Sequence, residues 1–370
     1  MSDNKNFPLG TRFAVVLLGA ILFVYALIAA REYLYPIVLG LLFGYLLFPI
    51  AEFLEKNKFP RIVANLLSIL LFLLLVGGAI VLVYKQTGGM IDNFPAYRQT
   101  ALSNIDKFGH EIEEYIGISD LRLVEFIRDR VRNLFEAGNN VINKAFSATA
   151  GTLFRIGILP VYIFLFLFYR TKLANFILKL TPKNKRLTTI NVLREYSRVV
   201  PRYMGGVSTV VLILAILNSA GLMIIGIEHP MLFGIISALF NFIPYFGTLI
   251  GGSIPFVFAL LISPHLAFQV LILFIIIQFT ENNILTPNIV GSSLNLNPMV
   301  IILGIVAGGM VWGIPGMFAV APLLAMFNIL SENVEKLHPF SFLLGIKGAR
   351  RHALTKENIQ KFLARIRKRK

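Results

Sequence analysis

The polar residues most suited to chemistry in the apolar half of the chain are grouped around one glutamate. Gln278, Glu281 and Asn282 are spaced i, i+3 and i+4, so they share one face of a helix. Residues 203–331 contain no lysine or arginine, and Glu228 and Glu281 are their only carboxylates. An ionisable group at membrane depth must pair with a charge, bind a cation or take up a proton. The pattern predicts proton or sodium coupling at Glu281, and placement of its carboxylate in the headgroup region explains it equally well.

Two further segments place helix breakers inside long apolar sequence, each with an Ile-Pro pair beside glycine. Arms of about 10 to 16 residues on either side reach only about 15 to 24 Å, which is less than a hydrocarbon core of about 30 Å. Both segments are therefore predicted to be re-entrant hairpins that expose backbone to solute or ion, and kinked spanning helices are the alternative. With the glutamate cluster, the predicted binding residues are Asn241, Pro244, Tyr245, Gly247, Gln278, Glu281, Asn282, Asn283, Pro287, Gly313, Pro315 and Gly316.

The elements that must hold these residues follow from the composition of the whole chain. Its 370 residues are 56% hydrophobic and only 15% charged, with a mean hydropathy of +0.74. These values exclude soluble enzymes and DNA-binding domains. They predict an all-α polytopic membrane protein with about eight membrane segments, including the two hairpins, and a small helical extracytoplasmic insert.

The chain divides into six parts by hydropathy and charge. The predicted parts are three membrane helices in 1–84, the extracytoplasmic insert in 85–147, a fourth membrane helix in 148–169, a basic cytoplasmic amphipathic segment in 170–204, the transport core in 205–330 and a basic cytoplasmic tail in 331–370. Helix-plus-hairpin occurs twice in the transport core, which is the pattern of an inverted-repeat transporter.

A net charge of +16 raises the question of a nucleic-acid partner. The excess lies in flanks: nine basic residues against one acid in 170–202, and eleven against three in 331–370. The positive-inside rule then places both termini in the cytoplasm. The tail ends in Arg367, Lys368, Arg369 and Lys370, which are predicted to face lipid phosphates rather than nucleic acid.

The sequence offers little for enzyme chemistry. It has no cysteine, and its five histidines never fall at metal-binding spacing. Nucleotide-binding and hydrolase motifs do not occur. We expect no enzyme activity, no cofactor and no bound metal.

Several motifs resemble one known family. The run from Gln278 to Gly291, the tripeptide Leu296-Asn297-Pro298, the segment 313–316 and the run from Phe242 to Gly247 are similar to motifs of the autoinducer-2 exporter family of bacterial permeases. The resemblance covers nearly the whole chain. It implies eight membrane segments, a homo-oligomer such as a pentamer, and an elevator-like shift of the solute. Pro315 departs from the family pattern, in which a less rigid residue often occupies that turn.

These observations predict a secondary-active permease or exporter of a small polar solute, such as a signalling molecule, that works by alternating access. The resemblance extends to cation/proton antiporters, so a sodium/proton-type antiporter is one alternative. A non-transporting membrane scaffold is the other, although a scaffold has no need of an unpaired Glu281.

Overall fold

A computed structural model describes residues 9–116, 121–146, 150–291 and 294–346. Within these ranges the fold is all-α, as predicted. The thirteen α-helices are α1 (Leu9–Ala29), α2 (Arg31–Lys56), α3 (Arg61–Asp92), α4 (Phe94–Ile116), α5 (Leu121–Phe146), α6 (Ala150–Leu180), α7 (Arg186–Ile225), α8 (Pro230–Phe240), α9 (Gly247–Ile262), α10 (Pro264–Thr280), α11 (Pro298–Trp312), α12 (Ile314–Asn333) and α13 (His338–Leu344). A π-helical segment, Glu281–Val290, continues directly from α10.

Six helical runs in the described residues are long and apolar enough to cross a membrane. They are Arg31–Lys56, Arg61–Ile91, Gly157–Leu180, Lys183–Ile225, Pro264–Val290 and Ile314–Asn333. Four more apolar helices are shorter, namely Phe13–Ala29, α8, α9 and α11. The chain is therefore a multi-pass membrane protein, which confirms the predicted fold class.

The basic segment predicted in 170–204 forms no separate α-helix, and a short 3₁₀ helix, Lys183–Lys185, divides it. Its first half is the end of α6, which has 31 residues, and its second half is the start of α7, which has 40. At 1.5 Å per residue, α7 is about 60 Å long, twice the thickness of a hydrocarbon core. Apolar spacing alone cannot show that an amphipathic segment is the extension of a spanning helix.

The chain forms two compact units. The first contains Met1–Leu46, Val161–Pro201 and Leu294–Lys370, and the second contains Leu47–Pro160 and Arg202–Ser293.

In the first unit, α11 and α12 form a hairpin that contacts the long helices around it. The Trp312 indole N–H donates to the Leu27 carbonyl of α1 over 3.1 Å. Tyr196 of α7 donates to the Met326 carbonyl of α12 over 2.9 Å. The end of α13 also returns to this hairpin, because the N–H of Asn297, just before α11, donates to the Leu344 carbonyl over 2.6 Å.

In the second unit, glycines allow α7 to lie directly against its neighbours. A Cβ added at Gly234 of α8 would come within 2.2 Å of the Ser219 hydroxyl. One added at Gly206 would come within 3.1 Å of the Ile289 carbonyl oxygen in the π-helical segment. Only glycine allows approaches this close between helices.

The insert, α4 and α5, packs on the membrane helices of the second unit. Its buried residues Tyr97, Ala101, Val131 and Phe135 form one hydrophobic cluster with residues of α7, α8, α9 and α10. A two-helix segment of about 60 residues is too small for an independent core. Its apolar faces are covered here by the membrane helices instead.

Candidate functional site

The first predicted hairpin is α8 and α9, folded back on each other. Its arms of 11 and 16 residues are about 16 and 24 Å long, too short to span a bilayer. Ser237 donates to the Gly251 carbonyl over 2.6 Å, and a Cβ at Gly247 would lie 2.3 Å from the Phe240 carbonyl oxygen. Because residue numbers fall along one arm as they rise along the other, the arms are antiparallel. A single kinked helix is therefore the wrong interpretation here.

The tip of this hairpin contains a strained backbone at Tyr245. Its φ is +66°, a left-handed value that costs a residue with a bulky side chain about 1 to 2 kcal/mol. The Phe246 N–H donates to the Pro244 carbonyl over 2.8 Å, which closes a three-residue turn around Tyr245. Strain of this kind persists only where the surrounding structure imposes it, and it is frequent at functional sites. The Tyr245 side chain is 57% exposed.

The helix that carries Glu281 differs from the predicted one. The residue types, with Pro287 among asparagines, predict a helix that ends near Glu281 and a loop from Thr286 onward. Instead the helix continues for ten more residues in π register, and the Gly291 N–H donates to the Thr286 carbonyl, five residues back. Glu281 therefore lies inside a continuous run, Pro264–Val290, and not at its end. Such π turns are rare and occur frequently at functional sites.

Asparagine side chains support the backbone of this π-helical segment. Asn283 donates to the Phe279 carbonyl over 2.8 Å, and Asn288 donates to the Ile284 carbonyl over 2.7 Å. Pro287 has no N–H, so it cannot contribute a backbone bond of its own. Asn283, predicted to bind solute, uses its amide hydrogen for its own helix. Asn282 is exposed in the same turn.

One apolar cluster brings the hairpin tip and the glutamate helix together. Phe242 of the tip packs on it with Ile277 of α10 and Leu285 of the π-helical segment. Asn241 adjoins Phe242 in sequence, and Gln278 and Glu281 follow Ile277 within one helical turn. We call Asn241, Gln278 and Glu281, the polar residues that flank this apolar cluster in sequence, the polar site.

Two atoms of the polar site are buried and unpaired. The Nδ2 atom of Asn241 and the Oε2 atom of Glu281 have no hydrogen-bond partner among the described residues. Buried polar atoms are nearly always hydrogen-bonded, so each unpaired one needs an explanation. One atom is an amide donor and the other a carboxylate acceptor. A small polar molecule with both a donor and an acceptor would satisfy both atoms, whereas a proton or a cation would satisfy the carboxylate alone.

The second predicted hairpin, α11 and α12, lies in the other unit and turns differently. Gly313 alone makes the turn, with φ +65° and ψ −141°, a conformation open only to glycine. Pro315 lies in the first turn of α12, where a missing N–H costs nothing. A Cβ at Gly316 would lie 2.0 Å from the Gly308 carbonyl oxygen, so the arms are again antiparallel and in contact. With 20 residues, α12 is longer than the predicted arms and reaches about 30 Å.

The predicted site residues thus divide between the two units. Those of the first hairpin and of the glutamate helix lie in the second unit, and Gly313, Pro315 and Gly316 lie in the first. The predicted lipid-facing residues Arg367 to Lys370 lie outside the described residues. In the described part of the chain, no group of three His, Asp or Glu residues is placed to hold a metal.

Sequence reasoning missed one cluster of polar residues, formed by Tyr97, Glu228 and His229. The Tyr97 hydroxyl donates to the Glu228 carboxylate and lies 3.3 Å from Nε2 of His229. The signal available was weak, because Glu228 is the second carboxylate of an otherwise uncharged stretch, and its partner is 131 residues away.

Comparisons with known proteins agree with this architecture. The family described as AI-2E family transporter matches residues 13–336. YrrI of Bacillus subtilis (strain 168), which is named for transport, is 31% identical over 304 residues, covering 80% of this chain and 84% of that protein. YueF of the same organism is 25% identical over 320 residues, with 82% and 84% covered.

A more distant relative carries a permease name. PerM of Escherichia coli (strain K12) is 23% identical over 223 residues, covering 58% of this chain and 62% of that protein. Because the family match extends over most of the chain and includes both hairpins and the glutamate helix, the chain belongs to the AI-2E family and is a multi-pass membrane transport protein.

Proposed function

We propose that this protein is a secondary-active exporter of a small polar solute in the bacterial inner membrane, with both termini in the cytoplasm, and that Glu281 binds the coupling proton or sodium ion. The observation that carries the proposal is the buried, unpaired Oε2 atom of Glu281 within a continuous membrane-length helix. The protein is not expected to act as an enzyme.

The charge distribution supports a role for Glu281 in coupling. No lysine or arginine occurs in residues 203–331, so this stretch offers no fixed cation to neutralise the carboxylate. A carboxylate without a partner at membrane depth is costly unless a proton or a cation neutralises it. Exchange of that proton or cation between the two sides would couple a gradient to transport.

The hairpin tip supports a role in solute binding. Asn241 presents a buried donor, and the strained turn at Tyr245 lies a few residues along the same tip. Broken elements near the bilayer midplane, with exposed backbone and polar side chains, are where secondary transporters bind solutes. Hairpin 1, meaning α8, the tip and α9, is therefore proposed to be re-entrant and to move during alternating access.

A sodium/proton-type antiporter is the second candidate, and the same unpaired carboxylate favours it. The two candidates differ in whether an organic solute is moved. A scaffold without transport, the third alternative raised by the sequence, predicts no flux of any kind, and membership of a family of transport proteins argues against it.

Purified protein in liposomes that enclose a pH-sensitive dye tests coupling directly. We expect proton flux across the membrane when a pH gradient is imposed, and a large loss of that flux in Glu281→Gln. Glu335→Gln, which changes an exposed carboxylate outside the polar site, is the matched control and should keep the flux. Normal flux in Glu281→Gln would contradict the proposed coupling site.

The solute is identified in two steps, first in cells and then in liposomes. Metabolites in the medium of cells with and without the protein are compared, and the compound that accumulates is then loaded into the liposomes. Proton flux that depends on this compound supports the exporter, whereas flux that depends on added Na⁺ alone supports the antiporter. Absence of both fluxes would contradict the proposed function.

A further inference from the structure

Helix α4 of the insert lies across the open end of hairpin 1, which we define as residues 228–233 and 258–263. Tyr97 contacts the start of α8, and Asn104 contacts the end of α9. The two residues are seven apart, so they lie on one face of α4 about 10 Å from each other. One helix face therefore contacts both arms.

Tyr97 is attached to the first arm by polar and aromatic contacts. Its hydroxyl donates to the Glu228 carboxylate and lies 3.3 Å from Nε2 of His229, the residue that precedes α8. Its ring meets the Phe258 ring edge to face, with 5.1 Å between centroids. Phe258 lies 4.7 Å from the Phe233 ring, so this aromatic contact continues from α9 to α8.

Asn104 is attached to the second arm by a pair of hydrogen bonds. Its amide nitrogen donates to the Leu261 carbonyl over 3.1 Å and to the Ile262 carbonyl over 2.7 Å. Carbonyls in the last turn of a helix have no partner in their own helix. A side chain of the insert thus caps α9, and both hydrogens of the amide are used.

Packing and a charged pair within the insert fix the positions of Tyr97 and Asn104 relative to each other. Ala101, midway between them, is 1% exposed, and Phe94 packs edge to face on Phe135 of α5. The Arg128 guanidinium donates to the Asp106 carboxylate, which joins α5 to α4 by a charged pair. A two-helix body can therefore hold both arms at a fixed separation.

We propose that the insert is a clamp on hairpin 1, in which Tyr97 and Asn104 are positioning residues that hold the open ends of α8 and α9 together and must release them when the hairpin moves. The proposal rests on the proposed function, in which hairpin 1 is the moving element. It assigns the insert a part in transport, whereas simple coverage of apolar surface would need no polar contact at either arm.

Amide hydrogen exchange of the full-length protein in lipid nanodiscs tests the clamp. Two variants remove the polar contacts with little change of shape: Tyr97→Phe keeps the ring, and Asn104→Asp replaces both donors by an acceptor. Ser103→Ala, at the exposed neighbouring position of α4, is the matched control. We expect exchange to rise by about five- to tenfold in both variants and not in the control, as loss of hydrogen bonds of ordinary strength predicts.

The location of the change distinguishes a clamp from local packing. A clamp predicts faster exchange at the tip, around Ile243 to Gly247, because the arms separate along their whole length. Local packing predicts a change only at the open end, and that result would overturn the proposal. An equal change in Ser103→Ala would do the same.

This measurement is independent of the proposed coupling. Exchange is recorded without a gradient or a solute, so normal flux in Glu281→Gln would reject the coupling site and leave the exchange result standing. Unchanged exchange together with loss of flux in Glu281→Gln would reject the clamp alone.

Discussion

Substitutions at Tyr245 distinguish the role of its ring from the role of its left-handed backbone. Tyr245→Asn and Tyr245→Val both remove the ring, but asparagine tolerates a positive φ and a β-branched residue does not. We expect Tyr245→Val to be less stable than Tyr245→Asn by about 1 to 2 kcal/mol, measured as a lower thermal unfolding midpoint in detergent. If the ring contacts solute, both variants lose solute flux to the same extent. Equal midpoints would show that the turn at Tyr245 relaxes and is not strained.

The contacts of Tyr97 make the open end of hairpin 1 sensitive to pH in two directions. Burial first, and the hydrogen bond to the Glu228 carboxylate second, raise the pKa of Tyr97 to about 12. Burial lowers the pKa of His229 from its ordinary 6.5, and the Glu228 charge only partly opposes this. Gly89 of α3 also packs against the imidazole, because a Cβ added there would lie 3.1 Å from the His229 ring.

Each pKa shift stabilises the folded state over a definite pH range. A raised tyrosine pKa stabilises the folded state fully below pH 10, and this contribution is lost as the pH rises towards about 12. A lowered histidine pKa stabilises it above pH 6.5, and this contribution is lost as the pH falls through the native pKa. Hydrogen exchange at the open end, corrected for the intrinsic pH dependence of exchange, should be slowest between these ranges. In His229→Gln, the increase in hydrogen exchange at acid pH should disappear, and the increase at alkaline pH should remain.

At the scale of the helices, glycines determine how closely the arms of hairpin 1 can pack. A Cβ at Gly247 would meet the Phe240 carbonyl oxygen at 2.3 Å, and backbone cannot move aside as a side chain can. Gly247→Ala should therefore lower the free energy of unfolding by about 1 to 3 kcal/mol. Gly205→Ala is the matched control, because a Cβ there meets nothing within 4 Å. That substitution should stabilise α7 by about 0.5 to 1 kcal/mol, and equal midpoints for the two variants would contradict the close packing.

Sequence reasoning predicts these hairpins well because their signals are local. An Ile-Pro pair with glycine between short apolar arms carries most of the information, and the antiparallel arms confirm the folding back of the chain. The turn residue of the second hairpin is less predictable, since Gly313 and Pro315 both break helices and only the backbone angles show which one does so.

The π-helical segment could not be predicted from residue types. Pro287 and the neighbouring asparagines are typical of a loop, yet the asparagine side chains donate to helix carbonyls and keep the segment helical. The contacts of the clamp could not be predicted from the sequence either, because they join residues more than 130 positions apart. Long-range polar pairs leave no periodic pattern in a sequence.

At the scale of the whole molecule, the proposed orientation can be tested with thiols, because the chain has no cysteine. With both termini inside, hairpin 1 opens outward, so the insert is extracytoplasmic and the loop before α11 is cytoplasmic. In intact cells, Ser103→Cys in α4 should react with a membrane-impermeant thiol reagent. Asn295→Cys, at an exposed position of that loop, should react only after the inner face is opened. Labelling of Asn295→Cys from outside would reverse the orientation.

The contact between Trp312 and the Leu27 carbonyl gives this molecule a built-in optical probe. Trp312 is the only tryptophan in the chain, and it stands immediately before the glycine turn of the second hairpin. Emission excited selectively from indole therefore comes from one known place, with no dye attached. If the turn leaves α1 when solute or protons bind, the spectrum and its quenching by iodide will change. Leu27 contributes a backbone oxygen that no side-chain substitution removes, so this signal can be followed in every variant described above.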